Sequence, residues 1–401
     1  MDWGHFFRKG HFSFEIIKPN AQQPVVANSD KVAQQETVNI DSAQFAAHIN
    51  ALTEPTLEGI WVSEPYTVGI TKTKDGYTGF IIDAPGTSWK KNQVKFKIYE
   101  KDKNYTADFW LRDFSKQENE MVEIIGNNLI NIGNNLYLKR KSKNFDDTKS
   151  TQNYIKVLYT PTPYFQKLSA KTSYLRIPLF DLEQKKIIDS VIDANHDAII
   201  NTPNLIIDLR YNGGGADASF QKLIPFIYTN PIRTVGLQMF STKLNNETML
   251  MYSKDSLFSE ENRNEYREIY EKLNQHLGTF VDVFDNAVLI DTLDNVLPQP
   301  ANVAIIINGG NASTTEQFLL SAKQSKKVKL FGTTTMGALD ISNMNYVKSP
   351  DGNFELGYCR SKSYRIPDMA IDGKGIQPDY YIDKTIPNAK WVDFVQEILE
   401  K

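Results

Sequence analysis

From Leu57 to Arg140 large apolar residues recur at every second position in short runs, near 58–63, 66–72, 77–82, 94–100, 104–113, 119–126, 128–133 and 136–140. Such alternation is the mark of strands with one buried face. Turn residues separate the runs, among them Asp75-Gly76, Pro85-Gly86, 102–104, Asn127-Asn128 and Asn134-Asn135. Eight closely spaced strands with no helix long enough for a crossover predict an antiparallel barrel or strongly curved sheet. Beyond a charged linker, residues 141–154, the pattern changes to strands alternating with helices: a strand at 174–180, a helix at 181–196, a buried strand at 204–209 and a helix at 216–227. A charged, mostly helical insertion follows at about 253–282. Val303–Ile307, a helix from Thr314 to Ser325 and a strand at 328–331 then resume the alternation, which predicts an α/β layered domain. Trp391, Phe394, Val395, Ile398 and Leu399 at helical spacing predict a C-terminal helix docked on the core.

The N-terminal part reads differently. Trp3, Phe6, Phe7, Phe12, Phe14, Ile16 and Ile17 suggest the tail of an element, which the family resemblance described below implies to be helical, followed by a polar stretch at 18–40 and a short helix that Asp41 or Ser42 caps and Pro55 ends. The expected domains are therefore 1–54, 55–142 and 150–401. Gly59-Ile60-Trp61 resembles the Gly-x-Trp opening of lipocalin-like barrels, and it admits two readings: a tryptophan that plugs one barrel end, or the floor of a ligand pocket.

Composition narrows the classes. Lys and Arg number 45 against 48 Asp and Glu, a net charge of -3, so no basic field exists to hold nucleic acid. One cysteine, Cys359, excludes an internal disulfide and a cysteine-rich metal cluster. The first 20 residues contain neither a signal peptide nor a membrane-spanning run. The family resemblance described below implies a reaction with no cofactor and no metal.

Two segments could carry chemistry, each placed just after a buried strand, where α/β sheets form their sites. Asp208–Gly215, DLRYNGGG, carries three glycines that let backbone N–H groups form a nest for an anion; a tight strand-to-helix turn is the alternative. Neither nucleotide-binding glycine pattern is present. Asn308–Glu316, NGGNASTTE, places Ser313 at a helix start. Ser313 and Glu316 could form a capping box, or Ser313 could present a nucleophile beside the positive end of the helix.

Together these segments resemble the C-terminal processing, or tail-specific, protease family and the related tricorn core. The resemblance continues through Leu330–Gly337, LFGTTTMG, and Gly375–Asp379, GIQPD. It implies a ClpP/crotonase-like α/β protease domain after the small barrel, with peptide or unfolded protein as substrate and a periplasmic or secreted location. It also implies Ser313 as the acylating nucleophile, with the amides of Thr314 and of Gly213 or Gly214 as the oxyanion hole. The base departs from the family. Ala338 occupies the place of the lysine, and Arg176 that of the tricorn-like histidine; Asp372 matches the tricorn glutamate. Asp340 is the remaining expectation for a base or orienting group. His11 reads as structural, His196 as a surface residue, and Lys323 as too far along the helix that Ser313 opens. A noncatalytic binding protein on the same fold is the alternative class.

Overall fold

The computed structural model describes residues 11–17, 33–101, 104–133 and 136–401. The apolar start at Trp3, Phe6 and Phe7, residues 18–32 of the polar stretch and the Asn134-Asn135 turn lie outside them. Residues 20–156 form one compact unit, and residues 157–401 form the other together with strand β1 (Ser13–Ile16). The described residues of the apolar start are thus a strand, not the end of a helix.

In the first unit eight antiparallel strands close a barrel: β2 (Gly59–Ser63), β3 (Tyr66–Thr73), β4 (Gly76–Asp83), β5 (Val94–Lys101), β6 (Asn104–Trp110), β7 (Lys116–Ile125), β8 (Leu129–Ile132) and β9 (Leu136–Arg140). Pairing of β2 with β9, Trp61 opposite Arg140, removes both sheet edges. The interior is aromatic and aliphatic, with Trp61, Val68, Ile70, Ile81, Phe96, Ile98, Phe109, Ile130 and Leu138 all buried. Glycine is required where the Phe96 ring crosses β4, because a β carbon on Gly79 would lie 2.1 Å from that ring. Trp61 is an end plug. Its indole N–H donates to the Leu57 carbonyl at 3.0 Å, and the Arg140 guanidinium lies 4.2 Å over its ring.

The helix Ser42–Ala51 packs Phe45 and Ile49 against Phe80 on the outside of the barrel. Asp41 caps it, accepting from the N–H groups of Ala43 at 3.0 Å and Gln44 at 2.8 Å. Asp41→Ala is expected to cost about 1 kcal/mol in urea unfolding, the usual value of such a cap; no loss would show the helix to be held by packing alone. The stretch 141–154, read as linker, ends in a helix, Lys149–Tyr159. Thr148 accepts the Thr151 N–H at 3.2 Å to start it, and Tyr154 and Val157 are buried.

The second unit is built on a six-stranded sheet. Its strands are β10 (Tyr164–Lys167), β11 (Thr172–Arg176), β12 (Asn204–Asp208), β17 (Asn302–Ile307), β18 (Val328–Gly332) and β21 (Tyr380–Tyr381), in that order across the sheet. From β11 to β21 the neighbours are parallel. The central strands are apolar on both faces because both are covered. Leu175, Ile207, Ile305 and Leu330 meet the helices Lys185–Ile200 and Thr314–Ala322 on one side. Ile206, Ala304, Ile306 and Phe331 meet the C-terminal helix Trp391–Glu400 on the other.

Between β12 and β17 the chain forms β13 (Ile232–Val235), β14 (Leu237–Phe240), β15 (Phe280–Asp282) and β16 (Val288–Asp291). The helical insertion begins earlier than its charge suggested, with helices Lys243–Tyr252 and Glu260–Asn274 packed around Met239, Met249, Ile269 and Leu273. After β18 a long antiparallel pair, β19 (Ile341–Lys348) and β20 (Phe354–Ser363), joins β1 and β14 in a second sheet. No helix among the described residues is long and apolar enough to cross a membrane.

Candidate active site

β12 and β17 are parallel neighbours with Asp208 opposite Ile306, so the loops that follow them leave the sheet side by side. Asparagines tie them together. The buried Asn311 amide donates to the carbonyls of Leu209 at 2.5 Å and Asn212 at 3.1 Å. Asn308 accepts the Tyr211 N–H at 2.9 Å, while Asn212 accepts the Thr315 hydroxyl at 2.8 Å and the Gly214 N–H at 3.0 Å. Buried side-chain amides suit this task because each carries both a donor and an acceptor.

The web presses Gly214 onto Ser313. A β carbon on Gly214 would lie 2.8 Å from Ser313 Cβ and 3.0 Å from the Thr314 nitrogen, and the residue has φ +111°, so only glycine fits. The two loops named from the sequence therefore meet. Ser313 adopts φ 55° and ψ −125°, a conformation that costs on the order of 1–3 kcal/mol and that the surrounding contacts impose. Its N–H donates to the Ala338 carbonyl at 2.9 Å, and its carbonyl accepts the Gln317 N–H at 3.0 Å. Its hydroxyl makes no capping bond. The capping-box alternative is thereby removed, and Glu316 confirms it. That side chain is buried and accepts the N–H groups of Gly337 and Ala338, each at 2.8 Å, and the Thr335 hydroxyl at 2.5 Å. Burial raises its carboxyl, against the pull of these donors.

Gly213 and Gly214 differ. The Gly214 N–H is given to Asn212, whereas a β carbon on Gly213 would meet nothing within 4 Å. The Thr314 N–H, in the first turn of its helix, has no intrahelical partner. The Thr314 hydroxyl donates to the Gly215 carbonyl at 2.8 Å.

Both carboxylates proposed from the sequence are otherwise employed. Asp340 is fully buried and accepts Arg365 Nε at 2.7 Å, the Ile371 N–H at 2.5 Å and the Asp372 N–H at 2.8 Å. With an ion pair and two amides on it, Asp340 is a structural anchor, and its assignment as base is corrected. Asp372 accepts the N–H groups of Leu339, Asp340 and Ile341 at 2.7, 2.7 and 3.1 Å, which ties it to the same loop. The two aspartates exchange bonds because neighbouring chain segments cross there, which no local pattern announces.

Arg176, expected from the resemblance at the place of a base, is buried and donates to the carbonyls of Ile177 at 3.2 Å and Asp208 at 2.9 Å. His11 bonds the Ile341 carbonyl through Nδ1 at 2.8 Å, a structural contact. His196 sits late on the helix Lys185–Ile200, and Lys323 caps the far end of the helix that Ser313 opens. The Cys359 thiol donates to the His11 carbonyl at 3.1 Å, and burial pushes it up to about 12.

One side chain was missed. Asp217 bonds Thr314, the residue after Ser313, and desolvation raises its carboxyl, opposed by that bond and by the charge of Arg365. An acidic residue two positions after the triple glycine was its only signal.

A six-stranded α/β core whose paired strand-end loops hold a strained serine at a helix start defines a hydrolase-like site. The chain matches peptidase family S41 over residues 171–382 and belongs to that family. It is 33% identical over 96 residues to a "Probable CtpA-like serine protease" of Staphylococcus aureus strains COL and N315, a stretch that is 22% of this chain and 19% of those relatives. Among solved structures, mature CPAF matches with a TM-score of 0.45 at 12% identity, over 85% of this chain and 81% of that one. The photosystem II D1 C-terminal processing protease matches with a TM-score of 0.35 at 14% identity, over 86% and 78%. The tricorn protease matches with a TM-score of 0.33 at 13% identity, over 77% and 29%.

Proposed function

We propose that this protein is a serine-type peptidase acting on unfolded or C-terminal peptide segments through an acyl-serine at Ser313, and that its turnover is slow. In this reading the N–H groups of Thr314 and Gly213 receive the oxyanion, while Gly214 provides the close approach. The observation that carries it is the strained Ser313 held against Gly214 with its hydroxyl uncapped. Slowness follows from the missing base. A serine hydroxyl needs a proton acceptor within about 2.6–3.2 Å, and Ala338, Arg176, Asp340 and Asp372 offer none. Release of the chain to a periplasmic or secreted location belongs to the same proposal.

A second reading, a peptide-binding protein without turnover, is favoured by the commitment of Asp340 and Asp372 to backbone amides. Fluorophosphonate labelling separates the two. Intact protein is expected to be labelled at Ser313, more slowly than an activated serine, and Ser313→Ala to remain unlabelled. Labelling that survives in Ser313→Ala removes the serine mechanism, and no labelling of folded protein leaves the binder.

A further inference from the structure

β19 and β20 place Met344 directly opposite Cys359, so the two side chains leave the same face of the second sheet as cross-strand neighbours. Cys359 Sγ lies 3.6 Å from Met344 Sδ. Gly357, two residues earlier on the same face of β20, leaves room for this approach, because a β carbon there would lie 2.8 Å from the Met344 methyl. β1 brings a third donor. Ser13 pairs with Gly357, and just before it the chain passes Cys359, whose thiol donates to the carbonyls of His11 at 3.1 Å and Ile341 at 3.3 Å. The His11 ring meets that same Ile341 oxygen, with Nδ1 at 2.8 Å. A carbonyl only accepts, so Nδ1 carries the proton and Nε2 keeps the lone pair. Cys359, Met344 and His11 are all half-buried, which leaves a way in for an ion.

Thiol, thioether and imidazole make a soft donor set. Among the described residues no group of three or more His, Cys, Asp or Glu side chains could hold a metal ion, so this sulfur pair stands apart from any hard, carboxylate-rich site. Thiolate and thioether ligands select copper(I), and imidazole suits copper as well. The spacing fits, since two sulfurs each about 2.3 Å from one ion, with an angle of about 100° at the metal, lie 3.6 Å apart. A ring N–H given to a backbone carbonyl is the usual way a ligating imidazole is oriented. Without an ion, burial and the charge of Asp372 keep the thiol protonated, with Arg360 opposing them. The same Asp372 charge favours a cation on the sulfur.

We propose that Cys359, Met344 and His11 form a binding site for a soft monovalent cation, copper(I), held by Sγ, Sδ and Nε2. The ion takes a sulfur lone pair as the thiol proton leaves to water, so one positive charge enters and one departs. Copper stays in its +1 state, and no oxidant or reductant takes part. When the thiol proton is gone, the Ile341 carbonyl still has the His11 N–H as its donor.

The test titrates the full chain with copper(I), under anaerobic conditions and against the chelator bicinchoninate, with silver(I) as a second probe that does not change oxidation state. One ion bound per chain is expected, with one proton released and an ultraviolet thiolate-to-copper absorption. Cys359→Ser should abolish both uptake and absorption. Met344→Leu, which keeps the volume and removes the sulfur, and His11→Ala should each weaken binding by about tenfold or more, the lower end of what a lost partner costs a metal site. No uptake by folded wild type overturns the proposal, as does uptake undiminished in Cys359→Ser or an unchanged affinity in both Met344→Leu and His11→Ala. If Cys359→Ser fails to fold, those two variants still decide it.

Discussion

Ala338→Lys is expected to raise peptide turnover by on the order of 100-fold or more, the usual contribution of a positioned base. The carbonyl of Ala338 accepts the Ser313 N–H at 2.9 Å, and its own N–H is held by Glu316 at 2.8 Å. Ala338 thus touches the backbone of Ser313, the nucleophile proposed above. Ala338 is 1% exposed, so a lysine there would be desolvated, which lowers its affinity for a proton and suits it to take one from serine. Peptide turnover of Ala338→Lys is the measurement, beside Ala338→Arg and the double variant with Ser313→Ala. Arginine does not deprotonate and should give no gain. A folded Ala338→Lys with unchanged turnover, or a gain that survives loss of Ser313, would falsify the assignment of Ser313 as nucleophile.

Asp208→Ala is expected to cost about 3–5 kcal/mol, the range for breaking a buried ion pair from one side. The Asp208 carboxylate has no solvent exposure. It accepts Arg210 Nη2 at 2.6 Å, Arg210 Nε at 3.0 Å, the Arg210 N–H at 3.0 Å and the Tyr174 hydroxyl at 2.9 Å, with Arg176 Nη1 at 4.0 Å. Its removal leaves two buried guanidinium groups facing each other. Burial pushes the Asp208 carboxyl up, but Arg210 and Arg176 outweigh it and hold the group below its ordinary value. The stabilisation is therefore complete above the ordinary aspartate range near ~4 and is lost as pH falls through the depressed value. Urea titrations of wild type and Asp208→Asn between neutral and acidic pH check this. A cost under about 1 kcal/mol at neutral pH would mean that the arginines find other partners.

Arg176 belongs to the same network. It is a structural cation that bonds the ends of β11 and β12, not a substitute for a proton carrier. Asp340 and Arg365 form a second buried ion pair, at 2.7 Å.

How legible each part was follows from how local its cause is. The barrel was readable because alternation and turn residues act within a few positions, and each strand pairs with its neighbour in sequence. The pair β19 and β20 was not. ISNMNYVK and FELGYCRSKS carry few apolar residues at every second place, and their pairing supplies what their own pattern lacks. β1 was misread for a related reason, since four residues become a strand only because β20 offers an edge.

At the site, the sequence by itself determined the two glycine- and asparagine-rich loops, the serine at a helix start and the absence of lysine and histidine at the expected places. Those features depend on residue type and short spacing. Only the tertiary structure decided the roles of the acidic side chains, because each is settled by groups far away in the chain. Glu316 reaches amides 21 and 22 positions on, Asp340 pairs with Arg365, and Asp372 closes on residues 31 to 33 positions before it. A carboxylate looks the same in a sequence whether it will accept a substrate's proton or a backbone N–H; the difference lies in which donors the fold brings to it, and buried donors claim it first because leaving them unmet costs more.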